Sequence, residues 1–342
     1  MYTPELVAAA RRGSDAEAAA VVAGLGTCLP AAEFASLAAR LNTSDEWIRT
    51  RTGIAARRRV APDVSMRDLA RAAAANALSS AGLDTVGGLI LATTTPDRPC
   101  PAAAPEVAQL LGLGQVPAFD LSAVCSGFLY ATATAAALIT SGIVDSVLVV
   151  AAETYSRIVD PTDRSTAVIF GDGAGAVVLR RGSPAEQGAL LAFDLGSDGS
   201  GDALIHVPGV REQPEGRRWF AMAGRKVCLR AVEQMTVSAP RVMKDCSWSP
   251  EQVDALVPHQ ANARIIRAVA DRLGVPPGSA VCELSRVGNT AAASIPLALA
   301  EALAAHRLRP GARTVLTAFG GGLTWASAAL AWPQLAAVRS EI

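Results

Sequence analysis

The stretch from 117 to 153, PAFDLSAVCSGFLYATATAAALITSGIVDSVLVVAAE, decides the fold class. A short apolar run, PAFDLSAV, stops at a cysteine. Small residues and alanines then follow over helical length, and the β-branched run SVLVVAAE starts a strand. The segment 129–151 is the most apolar of the chain, but Thr, Ser, Gly and Asp interrupt it. It therefore reads as a buried helix followed by a buried strand rather than a membrane span.

The same alternation extends outward on both sides. VVAGLG near 21, GLILAT near 88 and GAVVLR near 175 are short strand-like runs between Ala-rich helical stretches. After the turn RGSPAEQG at 181–188 a second series follows: LLAFDL, WFAMAG, ALVPHQ, AVCEL, TVLTAFG and SAALAW, separated by helical segments such as 261–273 and 292–306. The class is α/β. The expected division is an N-terminal extension over 1–19, a first half over 20–186 and a similar second half over 187–342. The Gly-, Pro- and charge-rich segment 196–218 reads as a surface excursion between two strands.

At 342 residues and 51% hydrophobic, the chain can bury a large core and is not disordered. Basic and acidic residues balance at 31 each, so no global field favours nucleic acid or an anionic membrane. Six cysteines without a CxxC pair and only three histidines argue against a structural zinc site. The first twenty residues carry charge throughout and do not read as a signal peptide, so a cytoplasmic protein with reduced thiols is expected.

Three residues carry the chemistry. Cys125 sits at a strand-to-helix junction, where free N–H groups and the helix dipole are expected to lower its thiol pKa and supply a thiolate. A cysteine in an apolar setting is more often a core filler. His259 in ALVPHQANARII and Asn289 in SRVGNTAAASIP also stand at element ends, where an α/β scaffold exposes polar groups. Taken singly, one could cap its helix and the other could serve a turn. Cys, His and Asn also form the papain-type protease set, but VCSGF lacks that family's local context and the cysteine lies far from the N-terminus.

The chain resembles the β-ketoacyl-acyl carrier protein synthase III family of the thiolase-like superfamily over residues 20 to 332. The resemblance rests on TSDEWIRTRTGI at 43–54, SAVCSGF at 122–128, DPTDRSTAVIFGDGAGAVVL at 160–179, VPHQANARII at 257–266, GNTAAAS at 288–294 and AFGGGLTWASA at 318–328. The GDGAG stretch lacks the GxGxxG spacing of a dinucleotide loop. The family implies a duplicated, five-layered αβαβα fold, usually a homodimer. It also implies that Cys125 takes an acyl group from acyl-coenzyme A, while His259 and Asn289 promote decarboxylation of a malonyl thioester on acyl carrier protein. The backbone N–H groups of Cys125 and Gly321 would form the oxyanion hole. Trp47 and Arg164 would flank the adenine of coenzyme A, with Thr43 and Arg51 nearby, Arg225 beside the pantetheine arm and Arg264 also facing the carrier protein. No cofactor, metal, nucleic acid or membrane is expected.

Cys100 and Cys228 stand where members that prime straight fatty acids have aromatic residues, and with Phe319 they are expected to line the acyl pocket. The two small side chains suggest a roomier or reshaped pocket and an unusual acyl group. Arg225 stands where the family often has Asn. Two further readings remain: a non-decarboxylating acyltransferase with His259 as general base, and a non-catalytic partner subunit.

Overall fold

The structure is a computed structural model that describes residues 18–34 and 41–342. The expected extension over 1–19 therefore lies almost wholly outside the described residues. In chain order the strands are β1 (Ala19–Leu29), β2 (Glu33–Phe34), β3 (Arg57–Arg58), β4 (Leu89–Ala92), β5 (Ala118–Leu121), β6 (Ser146–Thr154), β7 (Asp172–Gly182), β8 (Leu190–Ser197), β9 (Ile205–His206), β10 (Ala221–Met222), β11 (Ala255–Pro258), β12 (Arg313–Gly320), β13 (Thr324–Ala331) and β14 (Ala337–Glu341). The helices are α1 (Asp45–Thr52), α2 (Met66–Ala81), α3 (Ala104–Leu110), α4 (Gly127–Thr140), α5 (Gly224–Asp245), α6 (Ala263–Leu273) and α7 (Ser294–Ala304).

Two sheets repeat one topology. The first runs β14-β1-β7-β6-β4-β5, with β4 parallel to β5 and β6, and β7 antiparallel to both β6 and β1. The second runs β8-β13-β12-β11, with β11 parallel to β12 and the other pairs antiparallel. A parallel bridge from Leu256 to Ala280 occupies the place that β5 holds in the first sheet. Chain order and strand direction thus match position for position, the mark of a duplication. Two expected strands are reduced: AVCEL contributes that single bridge, and WFAMAG only the two residues of β10. The final strand β14 pairs in parallel with β1, so the unit expected over 187–342 returns its last strand to the first sheet.

Layering follows from sequence. The α4 sequence GFLYATATAAALIT is apolar around its circumference, and such a helix must be buried on every side. It lies between the sheets with α7, in a core that holds Leu129, Ile139, Ile295 and Leu299 together with β-strand residues of both halves. Helices α2 and α3 cover the outer face of the first sheet through Leu69, Ala73, Ala77 and Val107. Helix α5 covers the second through Val232, Met235 and Val242, in a cluster that also contains Cys125 and Phe319. This gives the five expected layers. Among the described residues no helix is long and apolar enough to cross a membrane.

Candidate active site

The site forms where the two central helices begin. Cys125 lies in a short 3-10 turn, Val124–Ser126, that runs directly into α4. Val124 holds φ at 48°, unusual for a β-branched residue and worth roughly 1–3 kcal/mol of strain. The second half repeats the device: Ala291 has φ 47° and opens the turn Ala291–Ala293 into α7. Gly127 and Ala292 approach so closely that a Cβ at Gly127 would lie 3.5 Å from the Ala292 Cβ, so the two junctions meet. Cys125 and Asn289 are therefore brought together by one structural feature used twice.

Cys125 is 8% exposed. The expected lowering of its thiol pKa is not observed. Burial pushes the thiol well above the ordinary cysteine range, and the Glu153 carboxylate adds to that push. Desolvation outweighs the stabilisation a helix terminus offers, so the resting residue is a thiol. A Cβ at Gly320 would fall 2.8 Å from the Cys125 backbone N, which is why the chain needs glycine where β12 passes Cys125. Gly321 follows it and packs against Ile205.

His259 follows β11 and is held by its own N–H on the Thr317 carbonyl, at 2.8 Å. Its ring Nδ1 lies 2.6 Å from Ser294 Oγ, the first residue of α7. Burial pushes its pKa down to about 3, so the imidazole is neutral at physiological pH. Gln260 anchors the loop through Pro258 O, Val281 O and the Glu283 N–H. The Asn289 backbone is clamped on both sides, its N–H donating to Ile169 O at 2.9 Å and its carbonyl accepting from Gly171 N at 3.0 Å. Its side-chain Oδ1 accepts from Ala291 N at 2.9 Å, which commits the oxygen and leaves the amide N–H groups to face elsewhere.

A second cluster lies on the surface at α1. Ser44 caps that helix through the Trp47 N–H, directly after Thr43. The Trp47 ring is 38% exposed, with the Arg164 guanidinium 5.2 Å and the Arg51 guanidinium 5.9 Å from its centroid. Arg264 donates to Thr50 O at 3.0 Å and so joins the same patch. The expected adenine clamp is closed, since a base between two flat groups needs about 7 Å and Arg164 stands nearer than that. Arg225 opens α5 as an exposed side chain.

Of the expected pocket residues, Cys228 and Phe319 join the apolar cluster of Cys125. Cys100 does not: it is exposed, in the loop that Asp120 of β5 ties down through the N–H groups of Ala103 and Ala104. Sequence reasoning missed three residues beside Cys125. Tyr155, Phe170 and Phe220 form a buried trio, with Tyr155 stacked on Phe170 at 4.7 Å and both rings edge-on to Phe220. Ser294 and Glu153 were missed as well. Glu153 left a signal, an acid closing the otherwise apolar run SVLVVAA.

Two family models match, 3-oxoacyl-[acyl-carrier-protein (ACP)] synthase III over residues 119–199 and its C-terminal counterpart over 243–332. A relative from Streptomyces coelicolor, beta-ketoacyl-[acyl-carrier-protein] synthase III 5, is 55% identical over 94% of this chain and 99% of its own length. The chain belongs to the 3-oxoacyl-[acyl-carrier-protein] synthase III family. It is accordingly a condensing enzyme of the acyltransferase class. The solved synthase III of Pseudomonas aeruginosa PAO1 superposes with a TM-score of 0.89 at 51% identity, covering 93% of this chain and 99% of that one. The priming β-ketosynthase of the R1128 polyketide pathway superposes with a TM-score of 0.88 at 34% identity, covering 93% and 97%.

Proposed function

We propose that this synthase III loads an acyl group from acyl-coenzyme A onto Cys125 and condenses it with a malonyl thioester carried by acyl carrier protein. In the first step the Cys125 sulfur bonds to the acyl carbonyl carbon, the bond to the coenzyme A sulfur breaks, and the thiol proton leaves with coenzyme A. In the second, the malonyl carboxylate departs as CO2, and the resulting enolate attacks the acyl-cysteine carbonyl and returns the cysteine thiolate, which takes a proton from solvent to restore the resting thiol. Backbone N–H groups of Cys125 and Gly321 would receive the oxyanion of each tetrahedral intermediate.

The observation that carries this reading is the pairing of a neutral His259 with an Asn289 whose oxygen is already committed. Ser294 Oγ accepts from the Gln260 N–H, and in the tautomer where its hydroxyl donates to His259 Nδ1 the imidazole carries its proton on Nε2. The site then offers two uncharged N–H donors, which stabilise an enolate oxygen without protonating the carbanion early. The same observation weighs against a non-decarboxylating transferase, because an imidazole held near 3 is a weak general base for an alcohol or amine.

Coenzyme A would bind at Trp47, Arg51 and Arg164 once Arg164 swings off the ring, with Thr43 and Arg225 along its path. Arg264 would meet the acidic carrier protein. We place the homodimer interface at the β5 edge, where Phe119 is exposed and Cys100 lies alongside. Cys100 would then reach the partner's acyl pocket rather than its own, beside Cys228 and Phe319. The role is a starter-unit step in fatty acid or specialised biosynthesis, in the cytoplasm and with no cofactor.

The test is intact-protein mass spectrometry with a panel of acyl-coenzyme A donors, followed by malonyl carrier protein. Acylation of Cys125 and then CO2 release with loss of the acyl mass is the expected result. Transfer only to added alcohols or amines would overturn it.

A further inference from the structure

The proposed catalytic set is split between the halves, with Cys125 on the first and His259 and Asn289 on the second, so something must hold the two junctions in register. Glu153 ends β6 in the first half and is fully buried. Its carboxylate accepts from the Thr94 N–H at 3.1 Å, the Thr94 hydroxyl at 2.8 Å and the Thr95 hydroxyl at 2.7 Å. Strand β6, which carries it, also packs against the turn that begins α7 in the second half, and the Ala292 backbone of that turn favours the charged carboxylate. In the same turn Ala291 donates to Asn289 Oδ1.

A second route runs from the same carboxylate. Thr94 Oγ1 lies 3.2 Å from the Tyr155 hydroxyl, the Tyr155 ring stacks on Phe170, and Phe170 is bridged to Asn289. One continuous chain of contacts thus leads from Glu153 to Asn289 through the aromatic pair, and the packing of β6 on the α7 turn runs beside it. Both carboxylate oxygens accept hydrogen bonds here. Glutamine would put an NH2 group where one of those acceptors stands, so the threonine hydroxyls would have to rotate and the ring rearrange.

We propose that Glu153 is a positioning residue that sets Asn289 against Cys125 for the decarboxylation and condensation step, while leaving acyl loading largely untouched. The inference rests on the reading of Cys125 and Asn289 given above. Loading needs Cys125 and the oxyanion N–H groups but not the Asn289 side chain, whereas condensation needs all of them.

The test separates the two half-reactions in Glu153→Gln, with Thr94→Val as a milder variant that removes one hydroxyl from the ring and keeps side-chain volume. Loading is read as the rate of acyl mass appearing on Cys125, and condensation as CO2 release from malonyl carrier protein added to pre-acylated enzyme. For Glu153→Gln we expect loading not to fall, since losing the carboxylate relieves part of the upward push on the Cys125 thiol, and condensation to slow about 10- to 100-fold, in kcat more than in KM, as for a displacement of about 1 Å. Thr94→Val should show the same split at smaller size. Equal losses in both half-reactions, tracking the folded fraction, would make Glu153 merely structural and overturn the proposal. Should Cys125→Ala still load, the catalytic reading itself falls and the inference with it, an outcome read from a different protein and so distinguishable.

Discussion

The junction that opens α4 and the junction that opens α7 share a strained non-glycine residue, a 3-10 turn and a central helix, yet they differ at one decisive place. Cys125 follows Val124 in the first, and Ala292 follows Ala291 in the second. Duplication supplied two equivalent helix starts facing each other, and only one carries a cysteine. The second half, relieved of that role, presents donors at the ends of its strands and loops, His259 after β11 and Asn289 just before its turn. In the proposed reaction one half receives the acyl group and the other supplies the side-chain donors for the enolate.

Making the halves alike should break this division most completely. Cys125→Ala gives both junctions alanine, and condensation should fall at least about 10³-fold with the fold intact, as judged by circular dichroism and activity. Stripping the second half instead, with Asn289→Ala, should slow CO2 release about 10²- to 10³-fold, the range for removing one oxyanion donor.

The two halves also bury titratable groups of opposite sense. His259 ordinarily titrates near 6.5 and is held down to about 3, so the stability it lends is complete above 6.5 and lost as pH falls toward 3. Glu153 ordinarily titrates near 4.5 and is pushed up to about 7 by burial, so its contribution is complete below 4.5 and lost as pH rises through 7. Urea midpoints should therefore rise from about pH 3 to 4.5, stay level to 6.5 while two opposing slopes of about 1.4 kcal/mol per pH unit cancel, and fall again toward 7. Glu153→Gln should remove the alkaline fall and let the midpoint climb on to 6.5.

Smaller effects sharpen the comparison. Ser294→Ala removes the hydroxyl partner of His259 Nδ1 and should slow condensation about 10-fold without affecting loading, since it frees the imidazole tautomer. Trp47→Ala lies outside both junctions. It should raise KM for acyl-coenzyme A several-fold, consistent with about 1 kcal/mol of lost stacking, and leave kcat nearly unchanged.

Much of this was legible in the sequence because the decisive features are local. Strand-to-helix junctions announce themselves by a change of period, and the residues at 125, 259 and 289 all fall at such changes. The buried helix α4 was legible for the same reason, whereas the five layers came from the family resemblance. What escaped was set by burial and distance. The thiol of Cys125 rises because neighbours remote in sequence desolvate it, and no local pattern reports that. Cys100 looks like a pocket residue by resemblance, yet it lies beside an unpaired strand edge. The return of β14 to β1, more than 300 residues away, follows from no local signal.

The most direct measurement is a paired time course of acyl mass on the protein and CO2 release for wild type, Cys125→Ala and Asn289→Ala, with one acyl-coenzyme A donor and malonyl carrier protein. A division between the halves predicts that wild type loads and releases CO2, that Asn289→Ala loads and then stalls, and that Cys125→Ala does not load. Loading of Cys125→Ala, or condensation by Asn289→Ala at the wild-type rate, would contradict it.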